Sequence, residues 1–593
     1  MRVSKFAGAL LAGFLVLRAG AQEASPPAAA PAMPEAATGT VAKPLVRAKE
    51  QMVVAAHPLA AEAGRAILRE GGNAADALVA VQLVLGLVEP QSSGLGGGSF
   101  LVWWDAGAKR LTTFDGRETA PAHATPKLFL GEDGQPLKFV PAVVGGRSVG
   151  TPGTVRLLAT VHARYGRLAW RRVVEPAMKL AREGFPVSER LHSLLAEDPD
   201  LLKSESMRPY FFPDGQPLAA GAMVRNPDYA AVLERIARDG PAGFYEGETA
   251  AAIVGAVAAA KGIDGQPNPG TLSLDDLKGY EVKERPPVCA PYRVYQICGM
   301  GPPSSGAVAV GQILGVLQPT DIAALGPKSV ESWRRIGDAS RLAFADRGRY
   351  LADADFMAVP VRGLLDPGYL ADRAKLLDGT TRALPDDEVK PGDPAFDHAK
   401  LERGDDASLE LPSTSHFAIR DRDGNLVSMT TTIENGFGSR LFVSGFLLNN
   451  ELTDFSFATQ EKGAPIANRV EPGKRPRSSM APTIVMRDGA PVLAIGSPGG
   501  SSIIGFVAEA LVAVLDWNMD VQAAVSLPHL LHRGTAFEIE KGTEAETLEP
   551  ALKGLGFATK VVDLNSGLHA IRITPEGLEG GADPRRDGVA LGD

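Results

Sequence analysis

The feature that most constrains the fold is a change of pattern near residue 414. Before it, residues about 378–413 are polar and charged and carry Pro385, Pro391, Pro394 and Pro412, so they read as an exposed loop with little to bury. After it, Ser415 to Arg420 alternates, Asp423-Gly424 supplies a tight turn, and Leu426 to Ile433 returns as a second strand. The device recurs at Thr483 to Met486, with turn Asp488-Gly489 and return Val492 to Ile495. Gly496-Ser497-Pro498-Gly499-Gly500 follows, and then an apolar helix from about Ser502 to Leu515. Hairpins interleaved with buried helices predict sheets covered by helices, a layered arrangement. No internal repeat of roughly 20–50 residues is visible.

The earlier part fits this scheme. His57-Pro58-Leu59 opens a helical pattern, Gly71-Gly72 stops it, and a second helix runs from Asn73 to about Val88. Gly94-Leu95-Gly96-Gly97-Gly98-Ser99-Phe100 then leads into strand-like Leu101 to Trp104. From about 150 to 375 the signals are mainly helical. At 593 residues, with 45% hydrophobic and 22% charged, the chain is long and apolar enough for a sizeable core. Net charge is −9 without a basic run, which disfavours a nucleic-acid partner.

The N-terminus reads as an address. Arg2 and Lys5 precede an apolar run from Phe6 to Leu17 that ends in Ala19-Gly20-Ala21, the three parts of a secretory signal with cleavage after Ala21. Residues 22–45 are Ala/Pro-rich and read as a flexible linker. No later segment reads as a stable membrane span. Export permits a disulfide between Cys289 and Cys298, whose flanking segments can pair as a hairpin; two separate buried thiols are the other reading.

Several candidates carry little chemistry. The glycines from Gly94 to Gly98 lack the Gly-Lys-Ser/Thr ending of a phosphate cradle and precede a strand, so a tight structural turn is expected. His529 and His532 have the spacing of a helical pair, with no third ligand nearby for a metal. Ser497 lies outside any Gly-x-Ser-x-Gly elbow.

Pro412-Ser413-Thr414-Ser415-His416 is stronger. If the backbone were cut before Thr414, that residue would carry both a hydroxyl nucleophile and a free α-amine. Such an amine has an ordinary pKa of about 7.7–8.0 and can act as base for the hydroxyl beside it. Thr430-Thr431-Thr432 lies on the partner strand, where a hydroxyl can support the nucleophile. Gly499-Gly500 stands between a strand and a helix start, where backbone N–H groups can face an oxyanion. Glu451, Asp454, Ser478, Ser479 and Arg117 offer an amino-acid head-group site: carboxylates for an ammonium, hydroxyls and a guanidinium for a carboxylate.

From about residue 50 to 590 the chain resembles the γ-glutamyltranspeptidase (glutathione hydrolase) family of N-terminal-nucleophile hydrolases. The marks are Ile67 to Asp76 (ILREGGNAAD), Gly94 to Phe100, Phe114 to Pro121 (FDGRETAP), Pro302 to Gly306 (PPSSG), Thr414 to Phe417 (TSHF), Leu447 to Phe455 (LLNNELTDF), Lys474 to Thr483 (KRPRSSMAPT), Gly496 to Ser501 (GSPGGS) and Ala582 to Arg585 (ADPR). The resemblance implies an α+β layered fold, the αββα sandwich, formed jointly by a large subunit (46–413) and a small one (414–593) that stay together. It implies a cut between Ser413 and Thr414, made by Thr414 itself, and then a threonyl acyl-enzyme. That intermediate passes a γ-glutamyl group from glutathione or a related donor to water, an amino acid or a peptide. Thr432 matches the supporting threonine, Gly499 and Gly500 the oxyanion hole, Arg117, Ser478 and Ser479 the α-carboxylate clamp, and Glu451 with Asp454 the α-amino clamp. No cofactor or metal is implied.

Glu434 departs from the pattern, standing where well-known members have an Asn beside the α-amino group. The segment between Phe455 and Lys474 lacks a tyrosine and is shorter than some members' lid loop, which implies a more open acceptor side. Ser415 in place of a second threonine is a conservative change. Two other readings stand beside the main one: a related acylase of glutaryl-cephalosporin or poly-γ-glutamate type, and an exported binding protein without chemistry. The retained head-group residues speak against the first, and the retained Thr414 and Gly499-Gly500 against the second.

Overall fold

A computed structural model describes residues 39–396, 402–406, 408, 410–411 and 413–593. The expected signal segment, most of the linker and Pro412 lie outside the described residues. The described end of the linker is tied down, because Val41 N–H donates to the Pro584 carbonyl (2.8 Å) and Lys43 Nζ to that of Asp583 (2.7 Å).

Local chemistry sets the first helices. Pro58–Arg69 begins with His57, whose ring accepts from Leu59 N–H, and with proline in its first turn. Gly71 takes φ +94°, a left-handed conformation that glycine adopts without strain, and ends the helix. Asn73 then caps Ala74–Val88 in a capping box: its side chain accepts from Asp76 N–H (3.2 Å) while the Asp76 carboxylate accepts from Asn73 N–H (2.8 Å). Every residue of that second helix is buried.

Two seven-stranded sheets, antiparallel throughout, form the middle of the molecule. Across the first sheet the order is Val589–Gly592, Met52–Ala55, Thr414–Arg420, Leu426–Thr432, Gly98–Asp105, Arg110–Gly116 and Lys283–Arg285. Across the second it is Val46–Ala48, Gly577–Ala582, His569–Thr574, Ala490–Gly496, Thr483–Arg487, Tyr295–Gly299 and Val288–Tyr292.

Alternation along the strands divides the core into layers. Phe417 and Ile419 join Leu101, Trp103, Val427 and the helix Ala74–Val88 in an outer layer. Ala418 points the other way, meeting Val54, Val102, Ile484, Ala494 and Ile571 between the sheets. Beyond the second sheet, Val485 and Ile495 pack with the apolar helices Gly306–Leu317 and Ile503–Leu515. Helix, sheet, sheet, helix is the αββα sandwich expected from the sequence. Burying one such side chain is worth roughly 1.5–3 kcal/mol, so a charge at Ile419 would open the outer layer.

Cys289 and Cys298 face each other in the hairpin Val288–Tyr292/Tyr295–Gly299 and are joined as a disulfide. Two expectations change. The segment 378–413 is not uniformly exposed: Leu384, Arg403, Asp406, Glu410 and Ser413 are buried, because arginines reached only through tertiary packing compensate its charges. His529 and His532 are not a helical pair either. His532 ends the strand Leu530–His532, and the His529 ring is held between Glu509 (2.9 Å) and Ser566 (2.7 Å). Among the described residues no group of three or more His, Cys, Asp or Glu is placed to hold a metal ion.

Candidate active site

Thr414 is the first residue of its strand and pairs directly with Thr432, the last residue of the returning strand. Their hydroxyls lie 3.4 Å apart, at the long end of hydrogen-bonding distance. The Thr432 hydroxyl donates to the carbonyl of Ser413 (2.9 Å) and accepts from Glu434 N–H (2.8 Å). It therefore polarises the carbonyl that an attack by Thr414 must strike. Two groups hold the strand from behind. Ser415 donates to Glu89 (2.8 Å), a carboxyl that burial pushes up to about 7, and Arg586 donates to the Thr414 carbonyl (3.1 Å).

The Gly-rich stretch is a packing device. A Cβ on Gly96 would stand 2.2 Å from the Leu447 carbonyl oxygen, and one on Gly97 would stand 2.0 Å from that of Thr432. Asn449 fastens the next piece: its amide donates to the carbonyls of Gly96 (2.7 Å) and Gly150 (2.9 Å), and its oxygen accepts from Glu451 N–H (3.0 Å). The short 3₁₀ turn Glu451–Asp454 is thereby aimed at the hairpin end. From the other side, Ser305 holds the Ser478 carbonyl (2.7 Å) and Ser304 that of Met480 (2.6 Å), so PPSSG supports the serine pair.

These elements enclose a small cavity lined by Thr414, Thr432, Gly500, Arg117, Glu434, Glu451, Asp454, Ser478 and Ser479, with Glu410, Leu411, Met480 and Ile503. Gly499, at φ +133°, is not in the lining, and Gly500, which follows it, lines the cavity together with Thr414. Ser413 is buried beside it, its hydroxyl donating to the Gln91 carbonyl (2.9 Å).

The cavity's electrostatics are lopsided. The fully buried Arg117 guanidinium pairs with Glu451 and Asp454 and also donates to the carbonyls of Pro476 (3.2 Å) and Arg477 (2.9 Å). Glu434, in the left-handed region at φ +75°, accepts from Asn450 through one oxygen and leaves the other unpartnered. Burial pushes Glu434 and Asp454 well above the usual carboxylate range, against the pull of Arg117, with repulsion from Asp454 and Glu451 adding to it at Glu434 and from Glu410 and Glu451 at Asp454; Glu451 is raised likewise by burial and by Glu118. Burial pushes Glu118, behind them, up to about 7. Four carboxyls around one guanidinium cannot all ionise, and the group is short of a cation.

The chain matches the Gamma-glutamyltranspeptidase family over residues 60–593. It belongs to that family. It is 36% identical over 559 residues to a glutathione hydrolase proenzyme of Bacillus subtilis, covering 92% of each chain. Among solved structures it resembles a cephalosporin acylase from Bacillus halodurans, with TM-score 0.79 and 26% identity over 93% of this chain and 97% of that one. It also resembles the γ-glutamyltranspeptidase of Helicobacter pylori, with TM-score 0.54 and 35% identity over 57% of this chain and 94% of that one.

In this γ-glutamyltranspeptidase family member, sequence reasoning missed Glu118, Arg347, Arg477, Glu410, Glu89 and Arg586. Glu118 stands inside the FDGRETAP motif beside Arg117, and Arg477 inside KRPRSSMAPT beside Ser478; those adjacencies were the available signals. Arg347 lies in the helix Val330–Tyr350, an unremarkable charged position until packing brings its guanidinium to Ser479 (2.8 Å).

Proposed function

We propose that this protein is a self-cutting γ-glutamyl hydrolase and transferase acting on glutathione and related γ-glutamyl amides. The observation that carries the reading is the Thr414–Thr432–Ser413 arrangement, a hydroxyl beside a carbonyl that a second hydroxyl already polarises. Thr414 Oγ1 attacks the Ser413 carbonyl, the Ser413–Thr414 C–N bond breaks, and water releases the resulting ester. This frees the Thr414 α-amine and yields the large (46–413) and small (414–593) subunits, which stay paired because both contribute strands to both sheets. The amine then takes the hydroxyl proton as Oγ1 attacks the γ-carbonyl of the donor. Gly500, with Gly499 shaping its loop, faces the developing oxyanion. The leaving amine departs with a proton, and water or an acceptor amine resolves the ester.

Arg117, Ser478 and Ser479 serve the donor carboxylate, and Glu434, Glu451 and Asp454 its ammonium. A glutaryl group has no ammonium, so the cation-poor acid cluster favours γ-glutamyl over a glutaryl acyl group. Export to the periplasm accords with the leader-like N-terminus, and no helix among the described residues is long and apolar enough to cross a membrane.

The test is intact mass of the purified protein beside Thr414→Ala. We expect two chains in the wild type, the smaller beginning at Thr414, and one inactive chain in the variant. A variant that is still cut at 413/414 would remove Thr414 as the attacking group.

A further inference from the structure

Arg347 and Arg477 are both buried, and the acids that balance them are Asp406 and Glu410. Arg477 pairs with Asp406 at 3.0 Å and reaches Glu410 at 3.4 Å, while Arg347 pairs closely with Glu410 and donates to Ser305 (2.9 Å) and Ser479 (2.8 Å). Glu410 belongs to the segment just before the Ser413–Thr414 bond. Its carbonyl accepts from Ser501 N–H at 3.3 Å, and a Cβ on Gly500 would stand 2.6 Å from the Leu411 carbonyl carbon. The segment therefore lies on the backbone that has to face an oxyanion, and a substrate carbonyl reaches Gly500 only after the segment withdraws. Withdrawal takes the Glu410 carboxylate with it and leaves two buried guanidiniums facing one acid, an arrangement that draws in another carboxylate.

We propose that Arg347, with Arg477 and Ser479, is a carboxylate-binding site that Glu410 fills in the continuous chain and a substrate carboxylate fills after the cut. This rests on Thr414 as the attacking residue and adds a cation to the head-group site. Arg117 shares its charge with Glu451 and Asp454, and the guanidinium in contact with Ser479 is that of Arg347.

Three p-nitroanilides separate the groups: γ-glutamyl carries carboxylate and ammonium, glutaryl the carboxylate alone, and 4-aminobutyryl the ammonium alone. Each is measured as substrate or as competitor with cut wild type, Arg347→Lys and Arg347→Gln; the lysine variant keeps the buried charge if the glutamine variant fails to fold. Losing a charge-assisted bond raises KM or Ki roughly tenfold for the γ-glutamyl and glutaryl compounds, with the 4-aminobutyryl value within about twofold of wild type. An equal change for all three, or none, overturns the assignment and leaves the γ-glutamyl reading standing. A wild type that turns over only the glutaryl compound sinks the γ-glutamyl reading and leaves the Arg347 comparison intact.

Discussion

Two buried guanidinium clusters flank the nucleophile, and they are built to opposite balance. Around Arg117 stand Glu118, Glu434, Glu451 and Asp454, four carboxyls on one cation. Around Arg347 and Arg477 stand Asp406 and Glu410, and the second of these belongs to the segment that precedes the cut. The first cluster has more acids than guanidiniums, and its carboxyls are raised accordingly. The second is balanced while the chain is continuous and lacks an anion once Glu410 withdraws. A ligand bearing an ammonium and a carboxylate on neighbouring positions answers both deficits, which is the head group of an α-amino acid.

The comparison breaks most violently at Arg117. Its burial means that Arg117→Ala removes more than a binding group: Glu451 and Asp454 lose their partner, a loss worth about 3–5 kcal/mol when one half of a buried pair is deleted. We expect Arg117→Ala to denature at markedly lower urea concentration than wild type, whereas Arg117→Lys keeps the charge and shows mainly a raised KM. A stable Arg117→Ala with only a KM effect would mean that the acid cluster discharges itself by protonation.

Asp454→Asn sharpens the comparison on the substrate side. Loss of one acid from the ammonium wall should raise KM for γ-glutamyl p-nitroanilide roughly tenfold to a hundredfold, the scale of a charged hydrogen bond. The glutaryl compound, without an ammonium, should be nearly unaffected. Parallel losses on both compounds would place Asp454 in support of the fold rather than opposite the ammonium.

An effect on stability alone concerns Glu89, which lies outside both clusters. Burial pushes its carboxyl up to about 7, so between the unfolded value near 4.3 and about 7 the folded chain binds more protons than the unfolded one. Stability from this group is therefore present at low pH and lost as pH rises through 7. Glu89→Gln should gain stability relative to wild type at pH 8 by up to about 3 kcal/mol, and little at pH 4. Equal unfolding midpoints for the two proteins at pH 8 would show that Arg190 and Arg586 offset the burial and keep the folded carboxyl near its unfolded value.

Much of the architecture was legible because its signals are local. The Asn73–Asp76 capping box, the Asp423-Gly424 and Asp488-Gly489 turns and the apolar run after Gly500 each act within a few residues. Thr414 and Thr432 were legible for the same reason, since a short hairpin turn fixes their register. Other pairings had no such signal: Leu426–Thr432 takes Gly98–Asp105 as its neighbour, and Ala490–Gly496 takes His569–Thr574, across hundreds or tens of residues.

The sequence by itself determined the first two helices and the hairpins that follow residues 414 and 482, the alternation that sends Phe417 and Ala418 to different layers, and the motif positions proposed to carry the nucleophile and head-group residues. Only the tertiary structure decided which acid meets which guanidinium. It put Arg347 rather than Arg117 against Ser479, laid Glu410 and Leu411 over Gly500, and buried parts of a segment whose composition reads as exposed. The physical reason is that periodicity and turn chemistry act along the chain. The cost of a buried charge depends on partners brought together through space, and no local pattern encodes that pairing.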